Sequence, residues 1–372
     1  MKKILLLFML IIPFNVKCLS ASSYIVMDMD SGRIMEGSNT DKVSLIASIT
    51  KILTAITAIE YGNLEDIVKI DDSILKSYGS GIYVQVGEEL TLDDLLYGLM
   101  LRSGNDAALA IASHVGDDVD NFVFMMNEVA KRIGMKDSYF VNPSGLEEND
   151  GSANKSTVYD MALLTRYAMN NEHYRRIVST KEIIVKSSYK TYKWVNKNKL
   201  LSTYKYCNGG KTGFTKKAHR TLVTTASNDN MNLIVVTFND GNDFNDHKNL
   251  YEKYFNNYER VKIVDKNDNY GSNLKLRNDF YMIKKEDDKV EVKVSKYDTS
   301  NAINGSIGGK VSVILNGKVL GSRNLYYEKI SVTKDKGFLS KLIEFLKFWW
   351  LDDKYCVVYI SNMWISFLFY YR

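Results

Sequence analysis

Apolar residues run almost unbroken from Leu45 to Ile59, with no Gly or Pro among them, which predicts a buried helix over 45–60. Upstream, Tyr24–Met29 and Arg33–Glu36 flank Asp30-Ser31-Gly32, the pattern of a hairpin. From Leu92 to Tyr167 the spacing is mostly helical, with helices over 92–100, 106–115 and 119–133 and a turn at Asn142-Pro143-Ser144-Gly145. Strand patterns return at 181–186, 221–226 and 233–238, followed by a helix-like stretch over 246–258. Strands at both ends with helices between them predict one sheet assembled from both ends of an α+β domain, 22–258. After Tyr258 the segments 261–264, 290–294 and 311–315 are short, β-branched and near-alternating, and Asn316-Gly317 is a hairpin-turn signal. A small all-β domain over 259–336 is expected there.

The two ends of the chain read differently. Lys2-Lys3, the apolar run Ile4–Pro13 and the small residues of Leu19-Ser20-Ala21 predict a secretory signal over 1–21, hence an exported body. In 338–351 the polar residues Ser340, Lys341, Glu344 and Lys347 fall on one helical face and the rest is apolar and bulky. Such an amphipathic helix suits a membrane surface, and the tail 337–372 is read as membrane-associating. A second apolar segment, 355–371, stands at the lower limit of roughly 17–25 residues for a spanning helix.

With 372 residues, two domains are more probable than one. The net charge of +5 is spread along the chain with no basic block, which argues against nucleic-acid binding. Of three cysteines only Cys207 lies in the body, so no disulfide framework is expected. The four histidines have no metal-ligand spacing, and neither a metal nor a cofactor is implied.

The candidate chemistry begins at Ser48-Ile49-Thr50-Lys51. On a helix, i and i+3 share a face, so the Ser48 hydroxyl can meet the Lys51 amine. Serine needs a base to become a nucleophile, and burial favours the neutral lysine that could serve. A buried lysine paired with a carboxylate would leave the same pattern. Ser103-Gly104-Asn105 precedes a helical run, where it can aim a hydroxyl and an amide into a cleft or act as an N-cap. The Gly-rich stretch Asn208–Thr215 carries Lys211-Thr212-Gly213-Phe214; glycines there mark either a hairpin turn or a close approach of ligand to backbone.

Ser-x-x-Lys, Ser-x-Asn and Lys-Thr-Gly in this order are the signature of penicillin-binding proteins and class A β-lactamases. With Tyr97–Ala108 and Asn142–Leu146 added, the chain resembles the low-molecular-mass penicillin-binding proteins that act as serine-type D-alanyl-D-alanine carboxypeptidases. The resemblance implies the penicillin-binding, serine β-lactamase-like transpeptidase fold, an antiparallel sheet flanked by helices. That fold would be followed by the small β domain and a C-terminal amphipathic anchor. It also implies peptidoglycan stem peptide as substrate, β-lactams as covalent inhibitors, and a location on the outer face of the cytoplasmic membrane. By the family pattern Ser48 forms the acyl-ester and Lys51 takes its proton. Ser103 relays a proton to the leaving group, and Asn105 lines the cleft. Lys211 and Thr212 hold the substrate carboxylate, and the N–H groups of Ser48 and Phe214 form the oxyanion hole beside Gly213. The Lys211 charge is also expected to push Lys51 toward neutrality. A β-lactamase is disfavoured, because Gly104 stands where class A relatives carry Asp and no deacylating Glu motif follows. A penicillin sensor without turnover would keep all these groups. His219-Arg220 stands where relatives often carry Gly and then Cys, which puts the local turn in question.

Overall fold

The computed structural model describes residues 19–228, 231–271 and 273–328. The leader before residue 19 and the tail segments 338–351 and 355–371 lie outside the described residues. Five antiparallel strands form the central sheet, in the order Ile34–Ser38, Ser23–Asp28, Asn232–Phe238, His219–Ser227, Cys207–Thr215. Ile25 and Val223 both stand opposite Val236, so the two ends of the domain meet in mid-sheet.

Eight helices follow in chain order: α1 (Lys51–Tyr61), α2 (Leu92–Arg102), α3 (Asn105–Gly116), α4 (Val119–Ile133), α5 (Val158–Ala168), α6 (Glu172–Ser179), α7 (Leu200–Thr203) and α8 (Asp243–Asn257), counted among the described residues. The side chains of Thr91, Asp118, Thr157 and Asn171 cap the starts of α2, α4, α5 and α6 by accepting from backbone N–H groups. Alternate residues of a strand point to opposite faces, and the core follows that period. Ile234 and Val236 pack with helices α1–α6, whereas Leu233 and Val235 pack with Leu250, Tyr251 and Tyr254 of α8. Covering both faces accounts for the continuous apolar run of this strand. Lys51 to Ala58 of α1 are all buried, as a helix apolar on every side requires.

The structure departs from the sequence reading in two places. The helix expected over 45–60 begins at Lys51; Ala47–Thr50 is a 3-10 turn and Ala47 is left-handed, at φ +50°. The Thr221 hydroxyl donates to the Ile46 carbonyl at 2.9 Å and engages it across the sheet. The strand read at 181–186 does not join the central sheet. Glu182–Lys186 pairs only with Thr191–Val195, and its alternate Glu and Lys residues would be buried in a sheet covered on both faces. Near the start of the described residues, the Ser20 N–H donates to Asp246 Oδ2 at 3.1 Å.

Beyond α8 every regular element among the described residues is a strand. Glu259–Val264 pairs with Phe280–Lys284, and a four-stranded sheet runs Leu274–Leu276, Lys318–Tyr327, Ile307–Leu315, Val290–Lys296. Phe280, Met282, Val311, Val313 and Leu325 form its separate core. Asn316 and Gly317 are both left-handed, as the two-residue turn requires. Arg33 ties this region to the first, donating to Ile283 O at 2.7 Å and to Asp288 Oδ1 at 2.8 Å. No helix among the described residues is long and apolar enough to cross a membrane.

The hairpin at His219 is intact, with Thr215 paired to His219, but His219 is exposed and left-handed at φ +58°. A non-glycine residue there is disfavoured by roughly 1–2 kcal/mol. His219→Gly is expected to raise the stability slightly, by about 1 kcal/mol or less after the glycine's greater unfolded-state entropy is subtracted, and the melting temperature with it. Thermal unfolding checks this, and a clear fall in melting temperature would mean that the imidazole makes a stabilising contact.

Candidate active site

Ser48 lies on the 3-10 turn directly before α1, half-buried, and Lys51 is the first residue of the helix and is fully buried. The Lys51 Nζ is 3.2 Å from Ser48 Oγ and 2.7 Å from Asn105 Oδ1, and it donates to the Ser144 carbonyl. Asn105 is held by a bond from its Nδ2 to Tyr78 O at 2.6 Å, which orients its Oδ1 toward Lys51. Burial is the main cause that brings the Lys51 amine down to about 7; the charge of Lys197 adds to it and Asp106 opposes it. In the neutral amine, the two N–H groups match the two oxygens that can only accept, Asn105 Oδ1 and Ser144 O. The lone pair is then left for the one partner able to donate, the Ser48 hydroxyl. This arrangement is that of a base poised on a nucleophile.

Ser103 and Lys211 form the second half of the cleft. Ser103 is left-handed (φ +62°) at the end of α2, and its Oγ accepts from Lys211 Nζ at 3.0 Å. Lys211 Nζ also donates to Thr212 O at 2.6 Å. Lys211 is itself held well below the ordinary lysine range, by burial first and then by the charges of Lys51 and Lys197. The charges of Lys51 and Lys211 act against each other, and Lys197, which the sequence did not single out, presses on both. Two amines in one dry cleft cannot both keep a proton without a counter-charge.

Lys211, Thr212, Gly213 and Phe214 lie on Cys207–Thr215, which is a nine-residue strand at the edge of the central sheet. An edge strand leaves half of its peptide groups unpaired and available to a ligand backbone. A Cβ at Gly213 would lie 3.0 Å from Ser48 N and 3.1 Å from Ile49 N, so the strand and the nucleophile turn touch through backbone. Phe214 is exposed at the cleft edge.

Sequence reasoning missed the groups that hold these residues in place. The Asp106 carboxylate accepts from the N–H groups of Ile82 at 3.0 Å, Tyr83 at 2.6 Å and Ala107 at 2.8 Å, fixing the loop that carries Tyr78. Pro143 O accepts from Thr54 Oγ1 at 2.7 Å, and Asn154 Nδ2 donates to Thr50 Oγ1 at 3.1 Å, so the 142–145 turn is clamped onto α1. The Asn-Pro-Ser-Gly sequence announced a turn but not what the turn touches. Lys197 and Tyr78 carry no local signal, since each acts only through contacts distant in the chain.

The family model described as D-alanyl-D-alanine carboxypeptidase matches residues 14–242. The D-alanyl-D-alanine carboxypeptidase DacF of Bacillus subtilis is 32% identical over 224 residues, covering 59% of this chain and 57% of its own length. This chain thus spans little more than half of that relative. The D-alanyl-D-alanine carboxypeptidase DacA of Haemophilus influenzae is 28% identical over 364 residues, covering 88% of this chain and 89% of its own. Among solved structures, penicillin binding protein 5 from Haemophilus influenzae superposes with a TM-score of 0.69 at 26% identity, over 84% of this chain and 97% of that one.

Gly145 provides a test of the clamp. Its φ is +84°, and an added Cβ would lie 2.1 Å from the Ala47 carbonyl oxygen. Gly151 has nearly the same φ, +85°, with nothing within 4 Å. Gly151→Ala should lose only the backbone term, about 1–2 kcal/mol, and Gly145→Ala a further ~1–3 kcal/mol from overpacking. Chemical denaturation of the two variants measures the difference, and equal losses would mean that the contact with Ala47 is easily relieved.

Proposed function

Because the chain belongs to the D-alanyl-D-alanine carboxypeptidase family, we propose that it is an exported serine carboxypeptidase removing the terminal D-alanine from peptidoglycan pentapeptide stems. The observation that carries the reading is the fully buried Lys51 amine, lowered to about 7 and within 3.2 Å of Ser48 Oγ. In this reading the stem peptide lies along the edge strand. Thr212 and Lys211 receive its terminal carboxylate, whose charge restores the proton that the empty cleft disfavours on Lys211. Asn105 lines the other wall.

Lys51 accepts the Ser48 proton as Oγ attacks the carbonyl of the penultimate D-alanine. The oxyanion is received by the N–H groups of Ser48 and Phe214, each such donor being typically worth about 2.7–4 kcal/mol of barrier. The tetrahedral adduct collapses to an ester on Ser48. The C–N bond breaks, and the departing amine takes through Ser103 the proton that Lys51 had accepted, which leaves Lys51 neutral. Water then cleaves the ester as Lys51 accepts its proton and passes it to the released Ser48 oxygen, and the shortened stem leaves. A β-lactam follows the same first step, but its leaving nitrogen stays tethered to the acyl group, so the ester persists and the enzyme is inhibited. The proposed location is the outer face of the cytoplasmic membrane, with 338–351 as the anchor.

Ser48→Ala is expected to abolish both the penicillin adduct and D-alanine release; mass spectrometry of the intact protein after penicillin reads the first, and a surviving adduct would move the nucleophile elsewhere. Since only neutral Lys51 accepts a proton, the acylation rate of the wild type should rise with pH, level off above about 7, and fall roughly tenfold per unit below it. Lys51→Ala should lose about 10²–10⁴-fold and the inflection with it. An unchanged pH profile in that variant would show that another group is the base.

Ending the chain at Lys336 should shift the exported enzyme from the membrane fraction to the soluble one. A truncated form that sediments with membranes as firmly as the full chain would refute the anchor.

A further inference from the structure

A cavity of about 580 Å³ opens between the first region and the β region, remote in composition from the Ser48 cleft and sharing none of its residues. Five cationic side chains line it, those of Arg166, Arg260, Lys266, Arg277 and Arg323, against two carboxylates, Asp30 and Asp279. Both carboxylates are already engaged. Asp30 pairs with Arg260 at 2.8 Å, and Asp279 pairs with Lys262 at 3.4 Å while accepting from the Lys266 N–H at 2.7 Å.

The remaining guanidinium groups have no ion pair among the described residues. Arg166 donates to two carbonyls, Met29 O at 2.7 Å and Asp30 O at 2.9 Å. Arg323 donates to Ser322 O at 3.1 Å and lies over the Phe280 ring at 4.8 Å. Arg277 lies over the Tyr326 ring at 3.7 Å. Stacking uses the face of a guanidinium and leaves its N–H edge for an acceptor. Burial lowers the proton affinity of both Arg166 and Arg323; the Arg166 charge also acts against Arg323, while Asp30 supports both and Asp28 supports Arg166.

Converging arginine forks match tetrahedral oxyanions, which accept several charge-assisted hydrogen bonds at once. The volume falls within the roughly 300–1,000 Å³ of small-molecule sites and exceeds what a lone phosphate fills. We propose that this cavity is a binding site for a phosphate-bearing ligand, with Arg166 and Arg323 at its base and Arg277 at its rim. The site is separate from the peptidase chemistry and does not depend on it.

Isothermal titration of the full chain tests the proposal with three probes. Pyrophosphate and glycerol 3-phosphate represent free phosphates, and dihexanoyl phosphatidylglycerol below its micelle-forming concentration represents a lipid headgroup. At least one should saturate a single site, and the probe that does so identifies the source of the phosphate. Arg277→Glu, at an exposed position, and Arg323→Gln should each weaken binding by about tenfold or more. Lys293→Glu, an exposed charge outside the cavity on Val290–Lys296, should leave it unchanged. Saturation by none of the three, or an equal loss in Lys293→Glu, would overturn the proposal. Because Arg277 is exposed, its variant remains informative if Arg323→Gln fails to fold.

Discussion

An amine enclosed by protein is the constraint on which the rest of this molecule depends. Lys51 opens α1, and every residue from Lys51 to Ala58 is buried. A charged ammonium there would be strongly disfavoured, so the fold holds it near neutrality and supplies two oxygens, on Asn105 and Ser144, that use its N–H groups. The same burial that makes Lys51 a base opposes folding. With its proton affinity lowered from 10.5 to about 7, the unfolded chain binds the extra proton more readily. The penalty is full below about pH 7 and fades as the pH rises toward the ordinary lysine value.

The supporting structure follows from keeping that amine dry and aimed. Three elements far apart in the chain converge on the turn at Ser48. The 142–145 turn backs it through Gly145, the edge strand meets it through Gly213, and the Thr221 hydroxyl engages the Ile46 carbonyl. Two of these contacts pass through glycine because backbone must approach backbone more closely than a Cβ permits. Left-handed residues sit at Ala47 and Ser103, on both sides of the cleft, so backbone strain accompanies the positioning of side chains there.

The β region meets the sheet through polar groups and through Ile283, which clusters with Val26 and Met35 in the core on the α8 side. Arg33 reaches Ile283 and Asp288, and the Ile283 N–H donates to Asp28 Oδ2 at 3.3 Å. Its own core, around Phe280 and Val313, is distinct from the two cores of the sheet. The polar part of this junction leaves room for the arginine-lined cavity, which a close-packed apolar interface would have filled.

By itself the sequence determined the class of fold and singled out the candidate reacting groups. Short apolar, β-branched runs at 24–29, 221–226 and 233–238 and the apolar stretch around Lys51 are strong local signals. The order Ser48, Lys51, Ser103, Asn105, Lys211 is a spaced motif that composition does not produce by accident. The start of α1, the partner of Glu182–Lys186 and the added action of Lys197 on Lys51 were decided only by tertiary structure. In each case the cause is a contact between residues remote in the chain: Thr221 on Ile46, solvent against the charged face of an isolated hairpin, and Lys197 near Lys51. Periodicity reports which face of an element is buried, and it holds no information about what lies on the other side.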